Sequence, residues 1–257
     1  MRVLVTRPAA QARDWVERLH AEGIDAAALP LIDIAAVDDD AALHAAWRGL
    51  EGDALAMFVS PNAVAHFFAA RPAHAAWPPV LLAASPGPAT TRAMLDAGVP
   101  PARIVEPAAD ASQFDSEALW QRLQTRDWRG TRVLFVRGDG GRDWLAERLR
   151  EAGAQVEHVS AYRRGLPRLE SHERQLLHAA IAAPREHLWW FSSAQAIDHL
   201  GMLAPAGSDW REARALSTHP RIAERARQLG FGAVQSCSPA ADAVLAAIRR
   251  SIQFGEP

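Results

Sequence analysis

The sequence contains no lysine, so all 28 of its lysine-or-arginine positions are arginines. This absence excludes a Schiff-base lysine and the lysine of a phosphate-binding P-loop. A GC-rich genome is a sufficient cause of such a bias, but the chemical consequence is the same. The cations that remain are planar guanidinium groups, which bind carboxylates and phosphates through paired hydrogen bonds.

Cysteine is nearly absent as well, because Cys237 is the only one. An intrachain disulfide and a cysteine-based metal cluster are therefore excluded. The ten histidines lack metal-ligand spacing, and the zinc-protease sequence His-Glu-x-x-His does not occur. We expect no metal site. No apolar run approaches the ~18 residues of a membrane span, and the opening residues show no signal-peptide pattern, so we expect a cytoplasmic protein.

The formal net charge is only −2, which is evidence against binding to nucleic acid or to a membrane surface, where a basic excess is typical. A chain of 257 residues with 49% apolar side chains has enough material for one large domain or two small ones. Composition is therefore that of an ordinary folded soluble protein.

Two stretches of the chain are near copies of each other. In residues 5–24 and in residues 135–154 an arginine comes at the end of an apolar run. The sequences Arg-Asp-Trp and Glu-Arg-Leu follow in that order, and a glycine stands near the end of each stretch. Three pairs keep nearly the same separation along the chain: Arg7 with Arg137, Ser60 with Ser193, and Gly98 with Gly230. Chance similarity between strand–helix units is the alternative, but the agreement in order and loop length favours an internal duplication.

Each copy alternates short apolar strands with amphipathic helices. The β-branched run at 2–6 predicts a buried strand, and Trp15 and Leu19 lie on one face of a helix that ends at Gly23. Residues 25–37 are predicted as one long extended segment. Alternation of this kind is typical of parallel sheets, so we predict two similar parallel-sheet α/β domains with a ligand-binding cleft between them.

Six loops follow predicted strands and open helices, three in each copy. They read TRPAAQ, SPNAV, SPGPATT, RGDGGRD, SSAQA and STHPRIA. Helix N-termini bind anions through free backbone N–H groups, so the six loops together predict an anion-binding cleft. Simple helix capping by Ser60, Asn62, Thr90 and Ser193 is the alternative, and it is favoured for each residue taken alone.

Two further features each have two interpretations. The loop RGDGGRD resembles a dinucleotide-binding loop, but Asp143 stands where the third glycine is needed, which favours a simple turn. Tyr162 is the only tyrosine, in the extended segment SAYRR. Its phenol is a candidate proton donor to a leaving hydroxyl, and an aromatic side chain on a half-buried strand is the equal alternative.

The order of these motifs resembles the uroporphyrinogen-III synthase family over nearly the whole chain. The resemblance is carried by VLVTRP, FVSPNAV, GPATTRAMLDAG, VLFVRGDGGRDWLAERLREAGAQVEHVSAYRR, FSS and SPAADAVLAAI. It implies two α/β domains joined by a two-stranded ladder. Residues 1–35 and 165–257 would form the first domain and residues 36–164 the second, with 30–37 and 158–165 as connecting strands.

The resemblance implies a lyase that cyclises hydroxymethylbilane to uroporphyrinogen III, with inversion of ring D and loss of water. This linear tetrapyrrole with eight carboxylates cyclises unaided to the symmetric I isomer, so the protein would act mainly by positioning it in the interdomain cleft. The resemblance implies no cofactor, and we expect a monomer that serves porphyrin and heme biosynthesis. A non-catalytic two-lobed paralogue and, less favoured, a nucleotide-binding enzyme are the alternatives.

By resemblance, Tyr162 matches the tyrosine that assists departure of the hydroxyl. The predicted substrate-binding residues are Arg7, Ser60, Asn62, Thr90, Arg137, Ser193 and Thr218. Arg137 has a structural ion pair as an alternative role. The second counterpart of the threonine loop departs from the family, with His219 for glycine and Ile222 for threonine, and Thr218 is a candidate replacement for the missing hydroxyl.

Overall fold

The protein is described from a computed structural model, which covers residues 1–108, 111, 114–140 and 143–253. The chain divides into two compact units. Unit 1 comprises Met1–Asp33 together with Gly165–Pro257, and unit 2 comprises Ile34–Arg164. Each unit contains one sheet.

Strands and helices alternate along both copies of the sequence. The strands are β1 (Arg2–Val5), β2 (Ala26–Ala28), β3 (Asp33–Ala36), β4 (Asp53–Phe58), β5 (Leu82–Ala84), β6 (Ile104–Val105), β7 (Arg132–Gly138), β8 (Gln155–Gly165), β9 (His187–Phe191), β10 (Arg214–Ser217) and β11 (Ala233–Ser236). The helices are α1 (Ala9–Ala21), α2 (Ala41–Gly49), α3 (Pro61–Ala69), α4 (Pro88–Asp96), α5 (Ser116–Leu123), α6 (Trp144–Glu151), α7 (Ser171–Ala182), α8 (Ala194–Leu203), α9 (Pro220–Leu229) and α10 (Ala241–Gln253).

The sheet of unit 1 has the strand order β11-β10-β9-β1-β2, and every pairing in it is parallel. The sheet of unit 2 has the order β3-β8-β7-β4-β5-β6, with parallel pairing from β8 through β6. The central strands are continuous apolar runs with side chains buried on both faces, as helix-covered parallel sheets require.

Comparison of the two strand orders shows how the duplicated halves combine. By the sequence repeat, β7 corresponds to β1 and β4 corresponds to β9. In unit 1, β1 lies between β9 and β2, and in unit 2, β7 lies between β4 and β8, so corresponding strands occupy corresponding positions in the two sheets. Each sheet thus combines the first strand–helix–strand of one copy with the last three strands of the other. The predicted fold class, two similar parallel α/β sheets, is confirmed.

The extended segment predicted at residues 25–37 is divided in the structure. Strand β2 belongs to the sheet of unit 1 and β3 to that of unit 2, with residues 29–32 between them. Leu31 is fully buried and its N–H donates to the carbonyl of Thr6, while Pro30 has no N–H to offer a sheet. The prediction of one continuous segment was therefore wrong here, although its counterpart β8 does run unbroken.

Helix starts in both units follow the chemistry of their capping residues. Helix α3 begins with Pro61 after Ser60, whose side chain accepts a hydrogen bond from the N–H of Ala63. Helix α9 ends at Gly230 with φ of 109°, a left-handed conformation that favours glycine. No described helix is long and apolar enough to cross a membrane.

Candidate active site

The six strand-ending loops are shared equally between the two units. The loops after β4, β5 and β7 lie at the carboxyl edge of the sheet of unit 2, where these three strands are neighbours, and residues 141 and 142 of the third loop lie outside the described residues. The loops after β1, β9 and β10 lie at the same edge of the sheet of unit 1. Ligands of open α/β sheets bind at carboxyl edges, so each unit offers one candidate surface built from three loops.

A cavity of about 250 Å³ lies at the carboxyl edge of unit 2. It is lined by Met57, Val59, Ser60, Pro86, Ser116, Phe135, Arg137, Gly138, Gly140, Leu145, Tyr162 and Arg164. Three of the predicted site residues, Ser60, Arg137 and Tyr162, are therefore brought together here. Apolar side chains from β4, β7 and α6 form much of its wall, and the polar groups are few, as in most small-molecule sites.

The hydroxyl of Tyr162 is held at this cavity by Ser60. The phenol oxygen lies 2.9 Å from the Ser60 hydroxyl, and the tyrosine is only 2% exposed. Ser60 Oγ also accepts a hydrogen bond of 3.2 Å from the N–H of Ala63, at the positive end of α3. The buried ring thus has its polar atom satisfied, and the Ser60 hydroxyl, which also lines the cavity, links it to a helix N-terminus.

The ring of Tyr162 packs against Gly138 and His66. The centroids of the tyrosine and histidine rings are 5.7 Å apart, with an angle of 23° between the ring planes. Burial lowers the pKa of His66 below its usual value, so the neutral imidazole is favoured beside the phenol. Gly138 pairs with Tyr162 across β7 and β8, directly after an irregularity in the strand register.

The two arginines at the cavity, Arg137 and Arg164, differ in whether they form an ion pair. Arg137 forms an ion pair with Asp143, so the structural alternative proposed for Arg137 is present, although its side chain also lines the cavity. Arg164 is exposed and has no carboxylate partner among the described residues. Alternation along β8 explains why Arg164 reaches the cavity with Tyr162, whereas the intervening Arg163 pairs with Asp38. Sequence reasoning missed Arg164, although the two-residue spacing was a usable signal.

Thr90 and Asn62 are placed differently from Ser60. Thr90 lies within α4, is 4% exposed, and does not line the cavity; Gly87 occupies the N-cap of that helix. Asn62 lies inside α3, whose N-cap is Ser60. Simple capping therefore holds for Ser60 but is wrong for Thr90 and Asn62.

The loop after β5 carries its own hydroxyl network beside Thr90. The Thr91 hydroxyl donates to the carboxylate of Glu106 at 2.6 Å and lies 2.7 Å from that of the fully buried Ser85. These contacts hold the loop that carries Pro86 to the cavity wall. The Ser85-Pro86 pair of this sequence is thus accommodated by packing and hydrogen bonds within unit 2.

Arg7, Ser193 and Thr218 belong to unit 1, at the carboxyl edge of its sheet. The Arg7 guanidinium donates to the side-chain oxygen of Gln11 and lies 5.9 Å from the ring centroid of Trp190, and burial lowers its pKa. Ser193 occupies the N-cap of α8 without a side-chain capping bond. The N–H of Thr218 donates to the carbonyl of Phe191 at 3.3 Å.

The departure at His219 preserves a capping function. His219 is the N-cap of α9, and its Nδ1 accepts a hydrogen bond of 3.1 Å from the N–H of Arg221. Ile222 is buried on the same helix, which accounts for an apolar residue there. No cluster of three or more histidine, cysteine or acidic side chains suited to a metal ion occurs among the described residues.

The exchange of strand–helix–strand units between two parallel sheets, with strand-ending loops gathered at one edge of each, defines a duplicated two-unit α/β protein. A family model described as uroporphyrinogen-III synthase HemD matches residues 13–246. The chain belongs to the uroporphyrinogen-III synthase family. This membership confirms the resemblance found in the sequence.

Relatives and solved structures agree with the family. The chain is 28% identical over 267 residues to uroporphyrinogen-III synthase of Salmonella typhimurium, an alignment that covers 97% of this chain and all of that one. It is 28% identical over 165 residues to the enzyme of the same name from Proteus mirabilis, covering 64% of this chain and 80% of that one. These matches confirm the predicted class, a cyclising lyase, and none of them favours a non-catalytic paralogue.

The fold is shared with solved structures of proteins of the same name. A uroporphyrinogen III synthase of Thermus thermophilus aligns with a TM-score of 0.61 and 18% identity, covering 99% of both chains. The uroporphyrinogen-III synthetase of Helicobacter pylori aligns with a TM-score of 0.58 and 14% identity, covering 98% of both chains. At these identities the two structures support the two-sheet fold.

Proposed function

We propose that this chain converts hydroxymethylbilane into uroporphyrinogen III, with inversion of ring D and loss of water, as a step of tetrapyrrole and heme biosynthesis. One observation carries the proposal beyond family membership. The only tyrosine of the chain places its hydroxyl 2.9 Å from Ser60 at a cavity on the carboxyl edge of a parallel sheet. That is the position where an α/β fold presents reactive groups to a ligand.

In this proposal Tyr162 is the catalytic residue and donates a proton to the departing hydroxyl. Ser60 Oγ accepts the Ala63 N–H and, in this proposal, donates its own proton to the phenol oxygen 2.9 Å away. The phenol proton is then available to the substrate. The carbon–oxygen bond breaks, the oxygen leaves as water with that proton, and an electrophilic azafulvene cation forms. Its carbon bonds to the substituted carbon of ring D.

Ring inversion follows from that bond. The spiro intermediate opens as the bond between ring D and the bridge carbon from ring C breaks. That carbon then bonds to the unsubstituted α-carbon of ring D, and the proton lost from this carbon balances the one supplied by the phenol. Because the substrate cyclises unaided to the I isomer, the protein has to select a geometry more than to lower a high barrier. Orientation of the bound chain and preferential binding of one transition state provide that selection.

Substrate carboxylates are proposed to bind the arginines and helix N-termini of the candidate surfaces. Arg164 is the strongest candidate in unit 2, because Arg137 is already paired with Asp143. The backbone N–H groups at the N-terminus of α3 supply neutral donors close by, with Ser60, Asn62 and Thr90 as further proposed contacts. In unit 1, Arg7, Ser193 and Thr218 are the proposed contacts. Arginine suits this role because two parallel N–H groups of its guanidinium match the two oxygens of a carboxylate.

The decisive experiment mixes the purified protein with freshly generated hydroxymethylbilane and separates the isomers. We expect uroporphyrinogen III in excess over the I isomer that forms without enzyme. Formation of the I isomer alone would overturn the proposal. The same samples give the kcat and KM values against which variants are compared.

The remaining features of the proposal are a monomeric state, a cytoplasmic location and no nucleic-acid or membrane partner. The net charge of −2 supports the last point, because polyanionic partners select basic surfaces. Sedimentation velocity measures the monomeric state directly. A concentration-dependent dimer would contradict it.

A further inference from the structure

Gly138 lies directly beside the proposed catalytic tyrosine. It is the last residue of β7, and it pairs with Tyr162 on the neighbouring β8 after a register irregularity that follows Arg137. The N–H of Asp139 donates to the carbonyl of Tyr162 at 3.2 Å, so the two backbones are held in this alignment. Gly138 itself is buried.

The space beside Gly138 is filled by the ring of Tyr162. A Cβ atom built on Gly138 would lie 2.7 Å from Cε2, 2.8 Å from Cζ and 3.2 Å from Cδ2 of the tyrosine. Carbon atoms at van der Waals contact are about 3.5–4.0 Å apart, so even alanine requires the ring or the strand to move.

The ring has little freedom to retreat from an added methyl group. It is 2% exposed, packs beside the ring of His66, and has its hydroxyl tied to Ser60. A displacement large enough to relieve the clash therefore also changes the hydrogen bond between the phenol and Ser60. The geometry of the proposed acid and the absence of a side chain at position 138 are linked.

Backbone conformation does not account for this glycine. Gly140, two residues further on, has φ of 69° in the left-handed region, but Gly138 is an extended strand residue outside that region. Other residue types adopt extended backbone without strain. What requires glycine at position 138 is the tyrosine ring.

We propose that Gly138 is a positioning residue for Tyr162: its missing side chain makes the space in which the phenol reaches both Ser60 and the cavity. The inference rests on the proposed role of Tyr162 in the reaction. Gly138 also lines the cavity, but the inference assigns to it an effect on kcat that passes through the tyrosine hydroxyl.

The first test observes the tyrosine without measuring activity. Because Tyr162 is the only tyrosine, incorporation of tyrosine labelled with ¹³C at Cζ gives one site-specific NMR resonance. We expect Gly138→Ala to shift or broaden that resonance. The matched control is Gly165→Ala at the end of β8, where an added Cβ meets only Asp33 Cβ at 4.0 Å. An unchanged resonance in folded Gly138→Ala would overturn the inference.

The second test is a double-mutant cycle on isomer III formation. We expect Gly138→Ala to lower kcat by up to roughly tenfold with little change in KM, which is less than the ~10²–10⁴-fold that a positioned acid typically contributes. In a Tyr162→Phe background the same substitution is expected to have no further effect on kcat. An equal loss in both backgrounds would show that Gly138 acts independently of the hydroxyl and would overturn the inference.

The outcomes separate this inference from the proposed reaction. If Tyr162→Phe keeps full turnover while Gly138→Ala still moves the tyrosine resonance, the catalytic role fails and the steric relationship stands. If Gly138→Ala unfolds the protein, stability supplies the readout in a Tyr162→Ala background, where the methyl group meets no ring. We expect Gly138→Ala to be tolerated there, and equal destabilisation in both backgrounds would contradict the inference.

Discussion

Ser60 Oγ and Tyr162 OH lie 2.9 Å apart, and the same serine caps α3 through the Ala63 N–H. One hydroxyl thus connects a helix N-terminus to a buried phenol at the cavity. This arrangement gives the serine two separable functions, in helix stability and in orientation of the phenol.

Ser60→Ala is expected to lower both stability and turnover. Loss of the cap should reduce the free energy of unfolding by about 1 kcal/mol, and loss of the phenol's partner should lower kcat for isomer III. Asp115→Ala is the matched control, because Asp115 caps α5 in the same unit by accepting from Ala118 at 2.9 Å. We expect it to reduce stability similarly with kcat unchanged; equal kcat values for both variants would argue against a role for Ser60 in the reaction.

Tyr162→Phe is expected to reduce the rate of isomer III formation without unfolding the protein, since the ring keeps its packing. We expect about a tenfold loss, below the ~10²–10⁴-fold typical of acid catalysis, because the substrate needs little help to lose its hydroxyl. Steady-state rates and a denaturation curve measured on one preparation check both statements. Full turnover by the variant would remove Tyr162 from the mechanism.

Arg164 and Arg163 form a natural pair for testing carboxylate binding. Arg164→Gln is expected to raise KM about tenfold with a smaller change in kcat, because it removes a charged hydrogen-bonding partner worth roughly 1.4 kcal/mol from the bound state. Arg163→Gln serves as the control, since that arginine is paired with Asp38 and does not line the cavity. Equal KM increases in the two variants would indicate a general charge effect.

The stability of the fold is expected to fall as the pH drops below neutrality, in part because of His66. Burial lowers the pKa of His66 in the folded protein, so the unfolded chain takes up a proton first, below its ordinary pKa of about 6.5. Stability is thus full above that value and declines as the pH falls toward the folded pKa.

Urea unfolding at several pH values between about 7.5 and 5 measures this dependence, and His66→Gln is expected to make it shallower. The slope should not vanish, because burial also lowers the pKa of His158. A variant with the same pH dependence as the parent protein would show that His66 does not contribute.

Gly232→Ala is expected to destabilise the protein severely. An added Cβ would lie 1.8 Å from the carbonyl oxygen of Arg211, so the backbone must move, at a cost of about 1–3 kcal/mol or more. Gly201→Ala in α8 is the comparison, because its added Cβ meets the end of the flexible Leu229 side chain at 3.3 Å. Thermal unfolding should distinguish them clearly; similar melting temperatures would contradict the steric interpretation.

Much of the architecture was predictable because helices and strands are specified by sequence signals within a few neighbouring residues. Apolar runs, the glycine at the end of α9 and the serine before Pro61 are local signals that act within one helical turn or one strand. The repeat added the order of elements in the second half. The division of residues 25–37 was missed because it depends on which sheet each piece joins.

The candidate site was predictable only in part. Tyr162 was marked as the only tyrosine, within a predicted extended segment, and the predicted strand-ending loops marked Ser60 and Arg137. Thr90 was predicted as a substrate-binding residue, and its burial within α4 had no signal in the sequence. The importance of Gly138 had no signal in the sequence, because only the ring of Tyr162 on the neighbouring strand shows that a side chain is excluded there.

Local signals in the chain specify the alternation of strands and helices, the duplication, and the residue types available for carboxylate binding and proton donation, because periodicity and capping operate between near neighbours. The pairing of distant strands is needed to bring Ser60 to Tyr162 across 102 residues and to place Arg164 at the cavity while Arg163 pairs with Asp38. Strand pairing sets those distances, and pairing depends on the burial of whole faces rather than on any single stretch of residues.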